Sequence, residues 1–163
     1  MENRKVIIVG SSRSNGNTTK IVEAISSKIE ADIINLNDYQ FSYYDYDNKN
    51  INDDFLPLMK KIIENYETLV LATPIYWYSM SGIMKVFFDR ISDLITIEKD
   101  LGRKLRGKNL AAIANTSDEE IDYDFFMPFR KSAEYLGMNY LGDVYLKANT
   151  TINNEKIKFL KDK

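Results

Sequence analysis

The sequence KVIIVGSSRSNGNTTK, residues 5–20, decides the fold of this chain. It opens with a β-branched run at residues 6–9, which is typical of a strand that is covered on both faces of a sheet. A loop of small and polar residues follows, and isoleucines then recur at every fourth position within residues 18–30, so that one face of a helix is apolar. The stretch therefore predicts a strand, a loop and an amphipathic helix, which together form the first part of a βαβ unit.

Strand-like and helical patterns alternate along the rest of the chain. Four further strands are predicted at residues 32–36, 68–72, 110–114 and 140–146. Four further helices are predicted at residues 55–66, 79–95, 125–136 and 153–160. Five strands separated by helices imply a parallel sheet with helices on both faces. Since no linker or repeat divides the chain, a single α/β domain over residues 1–163 is expected.

Local signals refine two of these elements. Asp53 and Asp54 offer N-cap oxygens to the second helix, and Gly137 predicts a left-handed cap at the end of the helix over residues 125–136. Residues 37–52 have no clean period, but their four tyrosines and Phe41 favour a long ordered loop over disorder.

Composition excludes several classes of function. The 163 residues include no cysteine and no histidine, which rules out disulfides, thiolate metal sites, cysteine-ligated iron–sulfur clusters and Ser-His-Asp triads. A formal net charge of −2 argues against nucleic acid or an anionic membrane as the main partner. No apolar run is long enough for a signal-peptide core or a membrane span, so a cytoplasmic protein is the default expectation.

The loop after the first strand has the parts of an anion site. A helix N-terminus supplies backbone N–H groups and the positive end of a dipole, and Gly16 with its asparagine neighbours at 15 and 17 allows a tight, left-handed turn. The same loop carries five side-chain hydroxyls that could donate hydrogen bonds to an anion, from Ser11, Ser12, Ser14, Thr18 and Thr19. The loop fits neither the G-x-x-x-x-G-K-[ST] nor the G-x-G-x-x-G template, which favours a terminal monophosphate. The alternative is a polar turn that does no more than cap a helix.

A second loop, within ATPIYWYSMSGIMKVFFDR at residues 72–90, places three aromatic side chains directly after a buried strand. Such a cluster favours cover by a planar ligand or by a second subunit. The alternative is that the rings pack on the tyrosine-rich loop at residues 39–46. In an open parallel sheet, ligands bind beyond the carboxyl ends of the strands, where the loops at 11–19, 73–81 and 115–120 would meet.

With these two motifs and NDDFLPLMKKI at residues 52–62, the chain resembles the flavodoxin-like NAD(P)H-dependent FMN reductase family over most of its length. The resemblance implies a flavodoxin-like three-layer sandwich, with a five-stranded parallel sheet in the order 2-1-3-4-5 and FMN at the switch point. The residues that it implies around the phosphate are Ser11, Arg13, Ser14, Asn17, Thr18 and Thr19. Those that it implies beside the isoalloxazine ring are Pro74, Ile75, Tyr76 and Trp77, with Thr116 and Ser117 on the other side of the ring.

The implied activity is hydride transfer from NADH or NADPH to FMN, followed by electron transfer to a small-molecule acceptor: free flavin, a quinone, or a nitro or azo compound. No catalytic side chain and no metal are expected, because the flavin carries the chemistry. One alternative is a flavodoxin-type electron carrier, although such carriers tend to be strongly acidic. Another is an α/β binding domain that holds no FMN. Trp77 and Tyr78 favour a homodimer with the flavin near its interface.

The sequence also departs from relatives that carry an iron–sulfur cluster. The loop before the second helix, FSYYDYDNKNINDDF, has no cysteine, so such a cluster is excluded. Two charged groups are expected to be solvated and not catalytic. The first is the face that carries a Lys85–Asp89 pair and Arg90. The second is the basic run of Lys99, Arg103, Lys104, Arg106 and Lys108.

Overall fold

The structure is a computed structural model that describes residues 4–117, 121–147 and 149–161. The five long strands are β1 (Lys5–Val9), β2 (Ala31–Asn35), β3 (Thr68–Tyr76), β5 (Asn109–Asn115) and β6 (Asn139–Leu146). They are parallel and lie in the order β2-β1-β3-β5-β6. A further short strand, β4 (Ser79–Met80), pairs antiparallel with the end of β3. Counting only the long strands, this is the flavodoxin order 2-1-3-4-5, which confirms the predicted fold.

Helices cover both faces of this sheet. The α-helices are α1 (Asn17–Ile29), α2 (Phe55–Asn65), α3 (Gly82–Arg90), α4 (Asp93–Thr96), α5 (Lys99–Arg103), α6 (Met127–Leu136) and α7 (Lys158–Lys161). Short 3₁₀ turns lie at Leu36–Asp38 and Asn154–Ile157. Among the described residues, no helix is long and apolar enough to cross a membrane.

Alternate residues of each strand feed two separate cores. Val6 and Ile8 of β1 pack in the cluster that includes α2, α3 and α6, whereas Ile7 and Val9 pack in the cluster that includes α1 and α7. The central strands are therefore apolar on both faces, which is why β-branched and small apolar runs could be recognised as strands.

The predicted helix over residues 79–95 is wrong at both ends. Its first residues form β4, and the Ser81 side chain then accepts a hydrogen bond from the Met84 N–H, which caps the start of α3. The helix ends at Arg90, after which the chain tightens into i→i−3 hydrogen bonds, such as that from the Ile91 N–H to the Phe88 carbonyl. The apolar periodicity continues through this turn, and so the pattern concealed the break.

The predicted helix caps are confirmed at Gly137 and Asp53 but not at Asp54. Gly137 ends α6 with φ 71°, as predicted, although α6 begins at Met127 and not at residue 125. Asp53 accepts the N–H of Phe55 at the start of α2, whereas the Asp54 carboxylate binds the N–H of Gln40 instead.

Arg90 is not on a polar face, contrary to the expectation. Its side chain is 0% exposed and lies over the ring of Phe55, with the guanidinium carbon 4.8 Å from the ring centre. It donates to the Asp53 carboxylate at 2.5 Å, to Asp93 at 2.8 Å and to the Ser42 carbonyl at 3.0 Å. A buried guanidinium needs such partners, and here they tie the tyrosine-rich loop to α3.

Lys108 is the second correction. Instead of being solvated, it is buried, and its ammonium donates to the Tyr66 carbonyl and the Glu67 carboxylate. The rest of the basic run is exposed, as expected, and so is the Lys85–Asp89 pair.

Candidate functional site

A cavity of about 800 Å³ opens at the carboxyl ends of β1, β3 and β5. Its walls come from three segments, which are residues 11–18 after β1, residues 74–76 at the end of β3 and residues 115–117 at the end of β5, and from Lys147 and Asn149 after β6. The parallel sheet brings these loops together at one edge, although they are widely separated along the chain.

Nine of the twelve predicted site residues line this cavity. They are Ser11, Arg13, Asn17, Thr18, Pro74, Ile75, Tyr76, Thr116 and Ser117. Ser14, Thr19 and Trp77 are not among the residues that line it. Residues 118–120 of the predicted third loop lie outside the described residues.

Six lining residues were missed by the sequence reasoning. They are Ser12, Asn15, Gly16, Asn115, Lys147 and Asn149. The first three belong to the predicted anion-binding loop, and Asn115 ends β5, at the sheet edge where ligands are expected to bind. Lys147 and Asn149 follow the edge strand β6, and no sequence pattern marks their approach to the loops of the central strands.

The first loop presents an uncapped helix start to the cavity. Gly16 is the N-cap of α1 and has no side chain to accept the first N–H groups, and the first turn contains no acidic residue. The left-handed backbone that residues 15–17 would allow is not adopted: Gly16 is extended, with φ −85° and ψ −177°, and neither Asn15 nor Asn17 has a positive φ. Within this loop it is Gly10, and not Gly16, that sterics require to be glycine, since a Cβ there would lie 2.8 Å from the Cβ of Met84 in α3.

The second loop is braced from within the protein. The buried Thr73 hydroxyl donates to the Pro74 carbonyl at 2.9 Å and accepts the Ser81 N–H at 3.0 Å. These two hydrogen bonds close the base of the hairpin that the end of β3 forms with β4. The β3 residues of this hairpin, 74–76, line the cavity.

The tip of that hairpin is a two-residue turn of unusual composition. Trp77 and Tyr78 both have positive φ, 48° and 65°, as a type I′ turn requires. Gly and Asn normally occupy such positions, because a bulky L-residue is strained in the left-handed region. The turn therefore stores strain beside the cavity.

These aromatic side chains do not pack as the alternative interpretation proposed. Trp77 is 93% exposed, and the Tyr78 ring contacts Tyr123, 5.5 Å between centroids, and not the loop at 39–46. The Tyr76 hydroxyl lies 3.3 Å from the hydroxyl of Ser12 and so links the first and second loops across the cavity. The hairpin tip thus presents a large aromatic surface at the rim of the site.

The family model for NADPH-dependent FMN reductases matches residues 4–150 of the chain. The protein belongs to this family. It is an NAD(P)H-dependent oxidoreductase, and its cofactor is FMN.

Individual relatives share between 17% and 27% of their aligned residues with this reductase. The Bacillus subtilis protein YwqN, whose name describes an NAD(P)H-dependent FMN-containing oxidoreductase, is 27% identical over 88% of this chain and 84% of its own length. The Trp repressor binding protein of Bacillus subtilis has a TM-score of 0.68 at 22% identity, covering 97% of this chain and 96% of that one. General stress protein 14 of Treponema denticola, solved in complex with FMN, has a TM-score of 0.63 at 17% identity, covering 98% and 94%. At these identities, the two structures show a shared fold.

The residues of the cavity fit FMN. Arg13 and Lys147 bring two positive charges, and no carboxylate is present among the described lining residues, although the chain has 24 acidic residues. The hydroxyl of Thr19, which neighbours the lining residue Thr18 in the first turn of α1 but does not itself line the cavity, is buried and has no hydrogen-bond partner among the described residues. The start of α1 suits an anionic group, and the space towards the loops after β3 and β5 suits a planar group. FMN has one group of each kind.

Proposed function

We propose that the cavity holds FMN with its phosphate at the start of α1 and its ring between the β3 and β5 loops. The observation that supports this proposal is the composition of one cavity. It is lined by the N-terminus of α1, a helix of 13 residues, by the cations Arg13 and Lys147, and by the ends of the central strands. Arg13 would pair with the phosphate, for which a guanidinium is suited because it can donate two parallel hydrogen bonds. Ser11, Asn17 and Thr18 would donate from the same side, with Ser14 and Thr19 completing the cradle.

At the other end, the chain would hold the ring largely through its backbone. Pro74, Ile75 and Tyr76 border the cavity just before the strained turn, and Thr116 and Ser117 face them from the β5 loop. Backbone groups in a braced hairpin change position little during the reaction, which makes them effective at orienting a ring. Trp77 would border the ring from the hairpin tip.

When bound, the flavin supplies the redox chemistry, taking hydride from NADH or NADPH and passing electrons to a second acceptor. The chain has no histidine or cysteine, and its part is to bind, orient and leave one approach to the ring open. We propose free flavins, quinones, and nitro or azo compounds as acceptors. Because donor and acceptor would use the same approach in turn, ping-pong kinetics are expected.

The exposed hairpin tip supports a homodimer with the flavin near its interface. Trp77 and Tyr78 are 93% and 72% exposed, a large apolar surface for a monomer to leave in water. A cytoplasmic location is proposed as well, in line with the nicotinamide donors. Sedimentation velocity of the wild-type protein and a Trp77→Ser variant tests the dimer: a monomeric wild type contradicts it.

Steady-state kinetics distinguish a reductase from a flavodoxin-type carrier. Rates would be measured at varied NADH or NADPH and varied quinone, with FMN present. Parallel lines in double-reciprocal plots support the proposal. Absence of turnover with either nicotinamide, together with rapid electron exchange with a separate reductase, favours the carrier.

A further inference from the structure

Two consecutive carbonyl groups of the first loop are held by side chains from other parts of the fold. The Ser81 hydroxyl donates to the Gly10 carbonyl at 2.7 Å. The Asn37 side-chain amide donates to the Ser11 carbonyl at 2.5 Å. Neither Ser81 nor Asn37 is among the residues that line the cavity.

Ser81 is fully committed to this arrangement. It is 1% exposed, its hydroxyl hydrogen is directed to Gly10, and its oxygen accepts the Met84 N–H at 3.2 Å. Its own N–H is bound to the Thr73 hydroxyl. The same residue therefore begins α3, braces the hairpin and fixes one peptide of the first loop.

Asn37 is fixed in the same way from the other side of β1. Its backbone N–H and its side-chain amide both donate to the side-chain oxygen of Asn35, at 3.0 and 3.1 Å. Asn35 ends β2, the strand that pairs with β1. The amide of Asn37 is thereby held in place to reach Ser11.

The orientation of a carbonyl fixes the orientation of the next N–H. No peptide bond among the described residues is cis, and in a planar trans peptide the C=O and N–H point in opposite directions. Holding the Gly10 and Ser11 carbonyls on Ser81 and Asn37 therefore turns the N–H groups of Ser11 and Ser12 the other way, and both of these residues line the cavity. A reversed peptide would put a carbonyl oxygen where an anion is to bind.

We propose that Ser81 and Asn37 are positioning residues that set the phosphate selectivity of the site by holding these two carbonyls away from it. The inference rests on the proposed binding of FMN in this cavity. It concerns the phosphate end only, so loss of either side chain should weaken binding of FMN and leave binding of riboflavin, which has no phosphate, nearly unchanged. A residue that merely stabilises the fold would affect both ligands alike.

The test compares the dissociation constants of FMN and riboflavin for Ser81→Ala, Asn37→Ala and the double variant. Flavin fluorescence or quenching of Trp77, the sole tryptophan, reports binding. Each single variant should lose at least tenfold in FMN affinity and less than threefold in riboflavin affinity. Ser81→Gly, which the N-cap of a helix tolerates better than alanine, should show the same selective loss and so separates this role from capping.

Two matched variants serve as controls. Ser26→Ala removes a serine hydroxyl that donates to the Ala31 carbonyl, and Asn65→Ala removes an amide that donates to the Lys61 carbonyl, both away from the cavity. Neither should change the ratio of the two constants. If the Ser81 and Asn37 variants weaken both flavins equally, or neither, this inference alone is overturned. If the wild type fails to prefer FMN to riboflavin, the proposed phosphate site is overturned, and the inference with it.

Discussion

Arg90 in α3 and Asp53 before α2 form a buried ion pair that joins two segments 37 residues apart, with two guanidinium nitrogens at 2.5 and 3.1 Å from the carboxylate oxygens. Burial raises the pKa of Asp53, but hydrogen bonds from Arg90 and from the backbone N–H groups of Phe55 and Ser42 outweigh it and hold the pKa below its ordinary value. Asp93 binds the same guanidinium. The pair closes the tyrosine-rich loop onto the core.

Replacing Arg90 with methionine leaves two carboxylates without their cation. We expect a loss of about 3–5 kcal/mol in the free energy of unfolding at neutral pH, measured by urea denaturation. Lys85→Met breaks an exposed ion pair on the same helix and should cost less than about 1 kcal/mol. Similar losses in the two variants would contradict the account of the buried pair.

The same pair predicts how stability depends on pH. A carboxyl group whose folded pKa is depressed contributes stability above its unfolded pKa, and this is lost as the pH falls through the folded pKa. For Asp53 the loss should begin near the ordinary value of 3.8 and continue below it. Asp53→Asn should be less stable at neutral pH and should show a shallower fall over that interval. An equally steep fall in the variant would show that other groups are responsible.

A substitution at Gly10 tests the close approach of the first loop to α3. Gly10→Ala would place a Cβ 2.8 Å from Met84, and we expect it to cost about 1–3 kcal/mol in unfolding free energy. Gly82→Ala is the matched control, because a Cβ at that position meets nothing within 4 Å and alanine favours a helix. If Gly10→Ala is as stable as the wild type, the close packing at this point is not what requires glycine.

The strained turn at Trp77 makes an opposite prediction for stability. Asparagine tolerates the left-handed region better than tryptophan, so Trp77→Asn should raise the free energy of unfolding by up to about 1–2 kcal/mol. Tyr135→Asn, at an exposed aromatic residue within α6, should give no such gain. Thermal and urea unfolding of both variants provide the measurement, and destabilisation by Trp77→Asn would show that the tryptophan contributes contacts that exceed its strain.

Loss of Arg13 tests the phosphate end of the site. Arg13→Ala should weaken FMN binding by about 1.5–3 kcal/mol, the range for a hydrogen bond to a charged group, and leave riboflavin binding unchanged. Lys20→Ala removes the same charge from a nearby residue that is not among those lining the cavity, so its effect should be small and screened by salt. Equal effects of the two substitutions would mean that only net charge matters.

Local patterns were sufficient to predict the sheet and most of the helices. Strands covered on both faces need continuous apolar runs, and helices on a sheet need one apolar face, so each element could be recognised from its own residues. Side-chain pairing could not be predicted in this way, because the partners of a side chain can be distant in sequence. The partners of Arg90 include Asp53, and those of Lys108 include the carbonyl of Tyr66. Neither partner is close in sequence, and both basic residues were therefore wrongly expected to be solvated.

The candidate site likewise has one part that could be predicted from the sequence and one part that could not. The loops after β1, β3 and β5 were predictable because parallel strands bring their carboxyl ends to one edge. Lys147 and Asn149 reach the cavity only through the path of the chain after β6, and Ser81 and Asn37 act from behind the loop that they support. No periodicity or motif in the sequence encodes such contacts.

The central claim is that this cavity binds FMN in a position where a nicotinamide can reduce it. The most direct measurement is a single-turnover experiment without oxygen, in which protein loaded with FMN is mixed with NADH or NADPH and the visible flavin absorbance is followed. The account predicts rapid bleaching by at least one nicotinamide, recovery on addition of a quinone, and weaker FMN loading in Arg13→Ala. A loaded protein whose flavin neither nicotinamide bleaches would contradict it.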